Sequence, residues 1–414
     1  MKTLNIIIAL ILIFSLNSCS RDRSPLAPQN QKYQTLPVTH LQKQVIQTNN
    51  QFSFALFSQT NKLFSDQNVF ISPFSVSMVL GMALNGAKGE TYAAIRNTLG
   101  FTNISEQSVN QTYGYLYDAL QQLDSSVTLE IANSVWCKQG LTFLPQFLSL
   151  NKTYFDAEIR TLNFADPQAV LTINQWIASA THNKIKHVIR SIPPDAIMYL
   201  INALYFHGSW QYEFPPQSTR QRDFYLTDGT QISCDMMATK IKIPIFINNT
   251  IKAVQLPYGQ GNFVVTVIMP KNASEFNDYV FRFDGNLWQH IDDSLRSRQC
   301  TIILPKLRFS FKTILNTPLK DLGMGIAFGS EADFSRISAN SNLRISKIIH
   351  QTYVEINEKG TEAAAVTVGE IGATSIQPHN LTITFDHPYL FVISEKSSGT
   401  LLFMGKILRP VWTN

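Results

Sequence analysis

Residues 360–380 read GTEAAAVTVGEIGATSIQPHN, and this is the most unusual stretch of the sequence. It lies between two strand-like runs, Tyr353–Ile356 and Leu381–Phe385. It contains no Phe, Tyr, Trp or Leu and is rich in Gly, Ala, Thr and Ser. Structureless loops longer than about 15 residues are usually functional in compact domains. The stretch is therefore the first candidate for the segment that carries the function.

Read with a period of two, the first half of this stretch has two unlike faces. One face carries small or uncharged side chains, namely Thr361, Ala363, Ala365, Thr367, Gly369 and Ile371. The other face carries Glu362, Ala364, Val366, Val368 and Glu370, so that both carboxylates lie together. Such a segment can slide between two existing strands, with its small face in the core and its carboxylates in water. We therefore expect a two-state element, a loop that can also become a central strand.

The composition excludes several classes of function. Hydrophobic residues make up 44% of the 414 residues, which permits a sizeable core and excludes general disorder. The formal net charge is only +5, so we expect no nucleic-acid partner. No GxSxG, HExxH, P-loop or complete GxGxxG motif occurs, and the eight histidines show no metal-ligand spacing. The sequence predicts a protein that is not an enzyme and has no cofactor and no metal site.

The N-terminus resembles an export signal. Ile6–Leu16 is almost wholly apolar and follows the cationic start Met1-Lys2, the pattern of a signal peptide too short to span a bilayer comfortably. It ends in Leu16-Asn17-Ser18-Cys19, which resembles the lipobox of bacterial lipoproteins. The resemblance implies that cleavage leaves Cys19 lipidated. An ordinary secretory signal cut near Ser18, with a secreted product, is the alternative.

These features predict three parts along the chain. Residues 1–18 form the signal peptide, residues 19–39 a polar, proline-containing tether behind the lipid, and residues 40–414 one domain. We expect an exported protein that is anchored through Cys19 to a bacterial membrane. The outer membrane is favoured over the inner membrane, and the cell surface is one place where the domain could lie. Cys137, Cys234 and Cys300 are an odd number for an exported chain, which favours buried free thiols over pairing, although one pair stays open.

Helical and strand patterns follow one another from residue 40 onward. Gln51–Ser65 has helical apolar spacing, and Ser75–Leu84 is apolar nearly all round, as in a buried helix. The segments expected as strands are Leu129–Trp136, Tyr199–Phe206, Phe263–Met269, Thr301–Leu304, Leu381–Phe385, Tyr389–Ser394 and Leu401–Met404. Because helices dominate early and strands late, the pattern indicates a mixed α+β domain.

Several blocks of the sequence resemble the serpin family of serine protease inhibitors. EINEKGTEAAAVTV at 355–368 is similar to the hinge of inhibitory serpins. Further similar blocks are NVFISPFS (68–75), GAKGET (86–91), NALYFHGSW (202–210), PLKDLGM (318–324), ADFS (332–335), FDHPYLF (385–391) and LFMGK (402–406). Together they span roughly residues 45–410 in the family's order. The resemblance implies a monomeric serpin fold, a single large domain with three β-sheets, eight to nine helices and an exposed reactive-centre loop.

The resemblance also implies a mechanism and a set of site residues. A target protease cleaves the loop, and the freed loop inserts into the central sheet and traps the acyl-enzyme. The hinge residues implied are Glu358, Gly360, Thr361, Glu362, Ala363, Ala364, Ala365 and Val366. Ser72, Ser75, Asn202 and His350 match the polar shutter cluster beneath the sheet, and Trp210 matches the breach, where insertion begins. An aromatic core residue is an equally compatible interpretation of Trp210.

The reactive bond follows from the same motif. Inhibitory members place it sixteen residues after the glutamate that matches Glu358, which gives Thr374, followed by Ser375, with cleavage after Ala373 as the alternative. No Lys or Arg lies between Lys359 and Lys396, and no aromatic residue or Leu between Gly360 and His379. The loop therefore favours a serine endopeptidase with a small apolar specificity pocket, as in elastase.

Other partners were weighed against this one. A cysteine protease stays open as a target. Heparin-type activation is not expected, because the region 105–123, which resembles the helix that carries that site in some serpins, contains no Lys or Arg. The alternative function is that of a non-inhibitory serpin acting as a binding or carrier protein.

Overall fold

The computed structural model describes residues 33–339, 342–361 and 381–413. The helices are α1 His40–Leu63, α2 Pro73–Gly86, α3 Gly89–Thr98, α4 Glu106–Gln122, α5 Pro145–Phe155, α6 Pro167–Ala180, α7 Phe276–Arg282, α8 Gly285–Ser294 and α9 Asn316–Leu319. Nine α-helices within these ranges agree with the expected number.

The strands of the described residues follow in chain order. They are β1 Val69–Ile71, β2 Val127–Lys138, β3 Glu158–Leu162, β4 Met198–Ser209, β5 Arg220–Tyr225, β6 Gln231–Ile247, β7 Ile251–Pro257, β8 Phe263–Pro270, β9 Arg296–Pro305, β10 Leu307–Ile314, β11 Lys347–Asn357, β12 Gly360–Thr361, β13 Thr382–Thr384, β14 Tyr389–Glu395 and β15 Leu401–Ile407. The α+β class expected from the sequence is confirmed.

Hydrogen bonding joins these strands into two sheets. The six-stranded sheet has the order β10-β11-β12-β4-β2-β3, and β11 also pairs directly with β4. The nine-stranded sheet has the order β1-β15-β14-β8-β7-β6-β9-β13, with β5 paired to β6. β6, of 17 residues, pairs with β5 and β9 along most of its length and reaches β7 only at its end, at Ile245–Ile247. It thereby joins two strand groups, so that three groups are present in two continuous sheets.

The core lies between the two sheets and is filled by α2. Every residue of α2 is buried, as its apolar sequence predicts, and Ser72 caps its first turn by accepting from the Ser75 amide. A second apolar cluster covers the opposite face of the six-stranded sheet, where α6 packs through Ile173 and Ile177 against Trp136 and its neighbours. The central strands β2 and β4 are therefore buried on both faces over most of their length and lack the alternation of a half-exposed sheet, whereas the edge strand β10 keeps it.

The segment before α1 packs against the domain. Leu36 is buried, and its amide donates to Ser397 Oγ at 2.8 Å. Tyr115 of α4 donates its hydroxyl to the Pro37 carbonyl at 2.5 Å. Residues 33–39, expected as the end of a free tether, therefore lie on the domain, because Leu36 finds an apolar site and the backbone finds polar partners. Residues 1–32, including Cys19, lie outside the described ranges.

Candidate functional site

The two central strands of the six-stranded sheet are joined over only part of their length. β4 and β11 run parallel and pair from Tyr199 with Lys347 to Leu204 with Thr352. Beyond this point, Tyr205–His207 and Tyr353–Glu355 have no strand between them among the described residues. The sheet is thus closed in its lower half, and we call the stretch above, where no described strand lies between Tyr205–His207 and Tyr353–Glu355, the slot.

Gly360 and Thr361, the first two residues of the stretch 360–380, lie at the top of this slot. Gly360 pairs with Ser209 of β4 and Asn357 of β11, and Thr361 pairs with Gly208 and Ile356. β12 is antiparallel to both neighbours, the orientation that a chain entering between β4 and β11 from this end must have. The segment is therefore already started as a central strand.

Gly360 is required here by the close approach of backbone atoms. Its φ is +150°, and a Cβ atom would lie 2.2 Å from the Gly208 carbonyl oxygen and 2.7 Å from Ser209 Cα. Both contacts are with backbone, which cannot move aside as the end of a flexible side chain can. Only glycine allows β12 to sit this close to β4.

Thr361 points into the protein interior, as the two-face pattern predicts. Its side chain is buried, and its hydroxyl shares a 2.8 Å hydrogen bond with the Tyr258 hydroxyl. Tyr258 is itself buried and stacks on Trp210, with ring centroids 4.6 Å apart and planes 10° apart. Burial raises the pKa of Tyr258, so the phenol stays neutral and can donate.

Trp210, predicted at the breach, also binds the turn that leads into β12. Its Nε1 donates to the Asn357 carbonyl at 2.9 Å, and its amide donates to the Lys359 carbonyl at 2.8 Å. Four residues later, the Phe214 amide donates to the Glu358 carbonyl at 2.8 Å. The segment after β4 therefore holds the turn 357–359 through three hydrogen bonds, and Trp210 is more than a core aromatic.

Glu358 is tied down by its side chain as well. Thr219 Oγ1 donates to its carboxylate at 2.7 Å, and Lys306 Nζ lies 3.0 Å from the same group. Burial alone would raise the pKa of Glu358, but these hydrogen bonds outweigh it and lower the pKa. The carboxylate therefore stays charged and anchors the turn.

Ser72, Ser75, Asn202 and His350 form one buried cluster beneath the closed part of the sheet. Asn202 and His350 are paired neighbours on β4 and β11, and the two serines lie at the start of α2. Asn202 Oδ1 accepts from Ser75 Oγ at 2.6 Å and contacts His350 Nδ1 at 2.8 Å. The cluster joins α2 to β4 and β11 at the level where these two strands pair directly.

The hydrogen bonds fix the tautomer of His350. The Ser72 amide can only donate, and it points at Nε2 at 2.9 Å, so Nε2 carries no proton. The proton therefore lies on Nδ1, which donates to Asn202 Oδ1. Complete burial lowers the pKa of His350 to about 3. A neutral imidazole is thus a condition for this cluster.

The remaining predicted site residues lie outside the described ranges. These are Glu362, Ala363, Ala364, Ala365, Val366, Ala373, Thr374, Ser375 and Cys19. Within the ranges that the structure covers, no group of three or more His, Cys, Asp or Glu side chains could hold a metal ion. No helix in this part of the chain is long and apolar enough to cross a membrane.

Cys137, Cys234 and Cys300 are free thiols. Burial raises the pKa of Cys137 to about 12 and the pKa values of Cys234 and Cys300 to about 11. All three therefore stay protonated at neutral pH, and none is poised for thiolate chemistry.

Two residues of the site were not singled out from the sequence. Tyr258 lies 103 positions before its partner Thr361, and no local pattern connects them. Asn133 accepts from Asn202 Nδ2 at 2.8 Å and extends the buried cluster to β2. A signal for Asn133 did exist, because it is an amide inside an otherwise apolar strand, and a buried amide needs a partner.

Comparison with known proteins bears on this arrangement. The family model described as Serpin (serine protease inhibitor) matches residues 47–410. Leukocyte elastase inhibitor of Sus scrofa is 31% identical over 381 residues, covering 89% of this chain and all of that protein, 100%. The crystal structure of the thermophilic serpin tengpin in its native state superposes with a TM-score of 0.82 and 28% identity, covering 91% of this chain and 96% of that one. Human thyroxine-binding globulin superposes with a TM-score of 0.83 and 25% identity, covering 90% and 100%.

Proposed function

The chain belongs to the serpin family of serine protease inhibitors, and we propose that it inhibits elastase-like serine endopeptidases as a suicide substrate. The observation that carries the proposal is β12. Gly360 and Thr361 begin a strand between β4 and β11, and below them no described strand lies between these two until they pair directly at Leu204 and Thr352. The loop can therefore lengthen an existing strand instead of starting a new one.

The proposed reaction begins as ordinary proteolysis. The hydroxyl of the protease serine attacks the carbonyl of Thr374, forms an ester with it and releases the amine of Ser375. Cleavage frees the N-terminal part of the loop, which remains attached to β12. The freed part inserts between β4 and β11 and carries the acylated protease with it, before water can hydrolyse the ester.

Insertion must release free energy that the intact loop withholds. About 15 new residues gain roughly 1 kcal/mol net for each hydrogen bond. Ordering them costs about 1–2 kcal/mol each, which can cancel this gain. Burial of the small face and relief of the strained sheet therefore decide the sign. The intact form is then kinetically trapped, as in other proteins that store strain until they are cleaved.

The target class follows from the residues that the loop offers. Near the centre it presents only Ala, Thr, Ser, Ile, Val, Gly and Glu370. A protease that needs a basic or aromatic residue before the cut finds none, whereas a small apolar pocket accepts Thr374 or Ala373. The relative from Sus scrofa, named for inhibiting leukocyte elastase, supports this target class.

The site of action follows from the N-terminal sequence. An apolar run ending in Leu16-Asn17-Ser18-Cys19 supports export and lipidation of Cys19. In this arrangement, the inhibitor domain stands at a membrane surface and reacts with proteases that approach it.

The proposal is tested by mixing the purified protein with elastase and separating the products by SDS electrophoresis after boiling. We expect a covalent complex at the mass of elastase plus the inhibitor less its C-terminal peptide, and a released peptide that mass spectrometry shows to begin at Ser375 or a neighbouring residue. A catalytically inactive elastase, with its nucleophilic serine replaced, is the control and should form no complex.

Cleavage of the loop without a complex, over elastases, trypsin-like, chymotrypsin-like and cysteine proteases, would contradict the inhibitory function. That result would favour the alternative, a non-inhibitory serpin that binds or carries a ligand. A complex with a trypsin-like enzyme but not with elastase would contradict the target class alone.

A further inference from the structure

The last residues of the chain lie along the outer edge of the six-stranded sheet. The Arg308 amide of β10 donates to the Val411 carbonyl at 2.7 Å, and the Thr413 amide donates to the Arg308 carbonyl at 3.0 Å. Trp412 lies between these two bonds and forms a parallel bridge with Arg308. The C-terminal tail therefore covers the edge of β10 at the end of the sheet that contains the slot.

The Trp412 ring lies against two cations. The Arg308 guanidinium carbon is 4.2 Å and the Lys306 Nζ atom 4.9 Å from the ring centroid. The ring itself is 44% exposed, so it contributes little to the hydrophobic core. The ring instead contacts the charged groups of Arg308 and Lys306. Cation–π contacts of this geometry hold flexible cationic side chains in place.

The same two cations bind one carboxylate just before the turn 357–359, which we call the hinge turn, and one carboxylate within it. Arg308 makes two 3.0 Å hydrogen bonds to Glu355, in the part of β11 that borders the slot. Lys306 lies 3.0 Å from Glu358, in the turn that leads to Gly360. Bidentate pairs of the kind that Arg308 makes fix orientation as well as distance. A connected set of contacts thus runs from Trp412 through two cations to Glu355, before the hinge turn, and to Glu358, within it.

We propose that Trp412 is a positioning residue for loop insertion: by fixing Arg308 and Lys306, it holds the hinge turn where β12 can begin between β4 and β11. This role rests on the proposed inhibitory function. Without the ring, both cationic side chains regain rotamer freedom, and each carboxylate is held by a less ordered partner. The turn then loosens, and the strand that must lead the insertion is less often in register.

The variants are Trp412→Ala, which removes both contacts, and Trp412→Phe, which keeps an aromatic face. Phe281→Ala is the matched control, since Phe281 is an aromatic on α7 that is 70% exposed and takes no part in the hinge contacts described above. All are made in the full chain, and far-UV circular dichroism and thermal melting show whether each folds.

The first readout needs no protease. The Trp210 and Phe214 amides donate to the turn carbonyls of Lys359 and Glu358, so their hydrogen exchange reports directly on the turn. We expect exchange at these two amides on the order of tenfold faster in Trp412→Ala, with Trp412→Phe closer to the unchanged protein. Exchange in α2 and β8, far from the tail, should not change.

The second readout is the number of inhibitor molecules consumed for each elastase inactivated. It should rise about twofold or more in Trp412→Ala, because slower insertion gives deacylation time to compete. Phe281→Ala should match the unchanged protein in both readouts.

The outcomes separate this inference from the proposed function. If the unchanged protein forms no complex, the proposed function fails, while the exchange measurement still tests whether Trp412 fixes the turn. Unchanged exchange at Trp210 and Phe214 in Trp412→Ala overturns the inference, whatever the inhibition. Faster exchange with unchanged stoichiometry also overturns it, since Trp412 would then stabilise the turn without serving insertion.

Discussion

Thr361→Arg places a charge where the structure has room only for a small neutral side chain. The Thr361 hydroxyl contacts Tyr258, which is stacked on Trp210. Neither of these side chains is an anion that could form an ion pair with a buried cation. Replacement loses one hydrogen bond, about 1 kcal/mol. Burying an unpaired guanidinium costs a further ~3–5 kcal/mol. In the intact variant, the introduced arginine side chain escapes this cost by leaving β12, but loop insertion must bury it.

The consequence for inhibition follows from rate arithmetic. Insertion and hydrolysis of the acyl-enzyme compete, and each 1.4 kcal/mol added to the insertion barrier slows insertion about tenfold. A penalty of ~3–5 kcal/mol therefore slows insertion by roughly 10²–10³-fold or more. Hydrolysis is untouched, so the partition should move from trapping to turnover. The variant should become a substrate.

The assay is titration of elastase with each variant, followed by SDS electrophoresis. For Thr361→Arg we expect complete loop cleavage, recovered elastase activity and little or no covalent complex. Thr361→Ser is the matched control, since it keeps the hydroxyl that meets Tyr258, and it should remain an inhibitor. Both variants should show the far-UV circular dichroism of the parent protein. If Thr361→Arg inhibits with unchanged stoichiometry, residue 361 does not enter the sheet interior and the assignment of the two faces is wrong.

Three further predictions concern other parts of the molecule. Gly360→Ala should raise the number of inhibitor molecules consumed for each elastase inactivated, because the new Cβ would lie 2.2 Å from a backbone oxygen. Gly229→Ala is the control, since Gly229 also has a positive φ but a Cβ there would have nothing within 4 Å, and it should leave this number unchanged. Equal effects of the two variants would refute the steric argument. Burial lowers the pKa of His350 to about 3, so between about pH 6.5 and 3 the unfolded chain binds a proton that the folded chain does not. The free energy of unfolding should therefore fall as the pH falls through this window, by up to ~1.4 kcal/mol per pH unit. Urea titrations of His350→Gln at several pH values should show a weaker dependence of this free energy on pH. An unchanged dependence would mean that His350 is not the group responsible. Cys19→Ser should release the protein from the membrane fraction into the soluble fraction on cell fractionation, and continued sedimentation with membranes would contradict lipid anchoring at Cys19.

Much of the scaffold could be predicted because its elements are buried and continuous in sequence. The expected helix Ser75–Leu84 lies inside α2, Pro73–Gly86, and the expected strand Tyr199–Phe206 lies inside β4, Met198–Ser209. In such segments the apolar run itself reports burial on all sides. The family's order of blocks supplied what such runs cannot, which is how strands far apart in the chain become neighbours.

The long strand β6, Gln231–Ile247, was not expected. Its apolar residues alternate with polar or exposed ones, as at Lys240, Ile241, Lys242 and Ile243, but Pro244 interrupts the pattern and argues against a central strand. In the structure Pro244 stays in register opposite Ser297, so the pairing on either side tolerates the missing donor. The period-two signal is present in the sequence, but a proline within it weakens it as evidence for a strand.

The contacts of the site were less accessible than the elements that carry it. The motif predicts which residues form the hinge, and the structure places two of them, Gly360 and Thr361, between β4 and β11. The partners of the hinge do not follow, because Tyr258, Lys306 and Trp412 come from three separate segments. Their meeting depends on the packing of loops, and no short-range pattern encodes it.

The two residues of β12 also set the register of any strand that would follow them. Thr361 stands opposite Gly208 and Ile356, and an antiparallel strand advances against both neighbours one residue at a time. In a continued strand, Ala363 would come opposite Phe206 and Val354, where a small side chain suits the large ring.

Two steps beyond Ala363 on the same face, Thr367 would reach Asn202 and His350. Thr367 carries the first hydroxyl on this face beyond the hinge. In a continued strand it would lie beside the polar side chains of the buried cluster. The spacing between Thr361 and Thr367 thus matches the distance, counted in residues, from the top of the slot to the cluster, so that a strand shifted by one residue would turn its carboxylates inward. A loop inserted in this register would match the sheet in the order of its side chains as well as in their size.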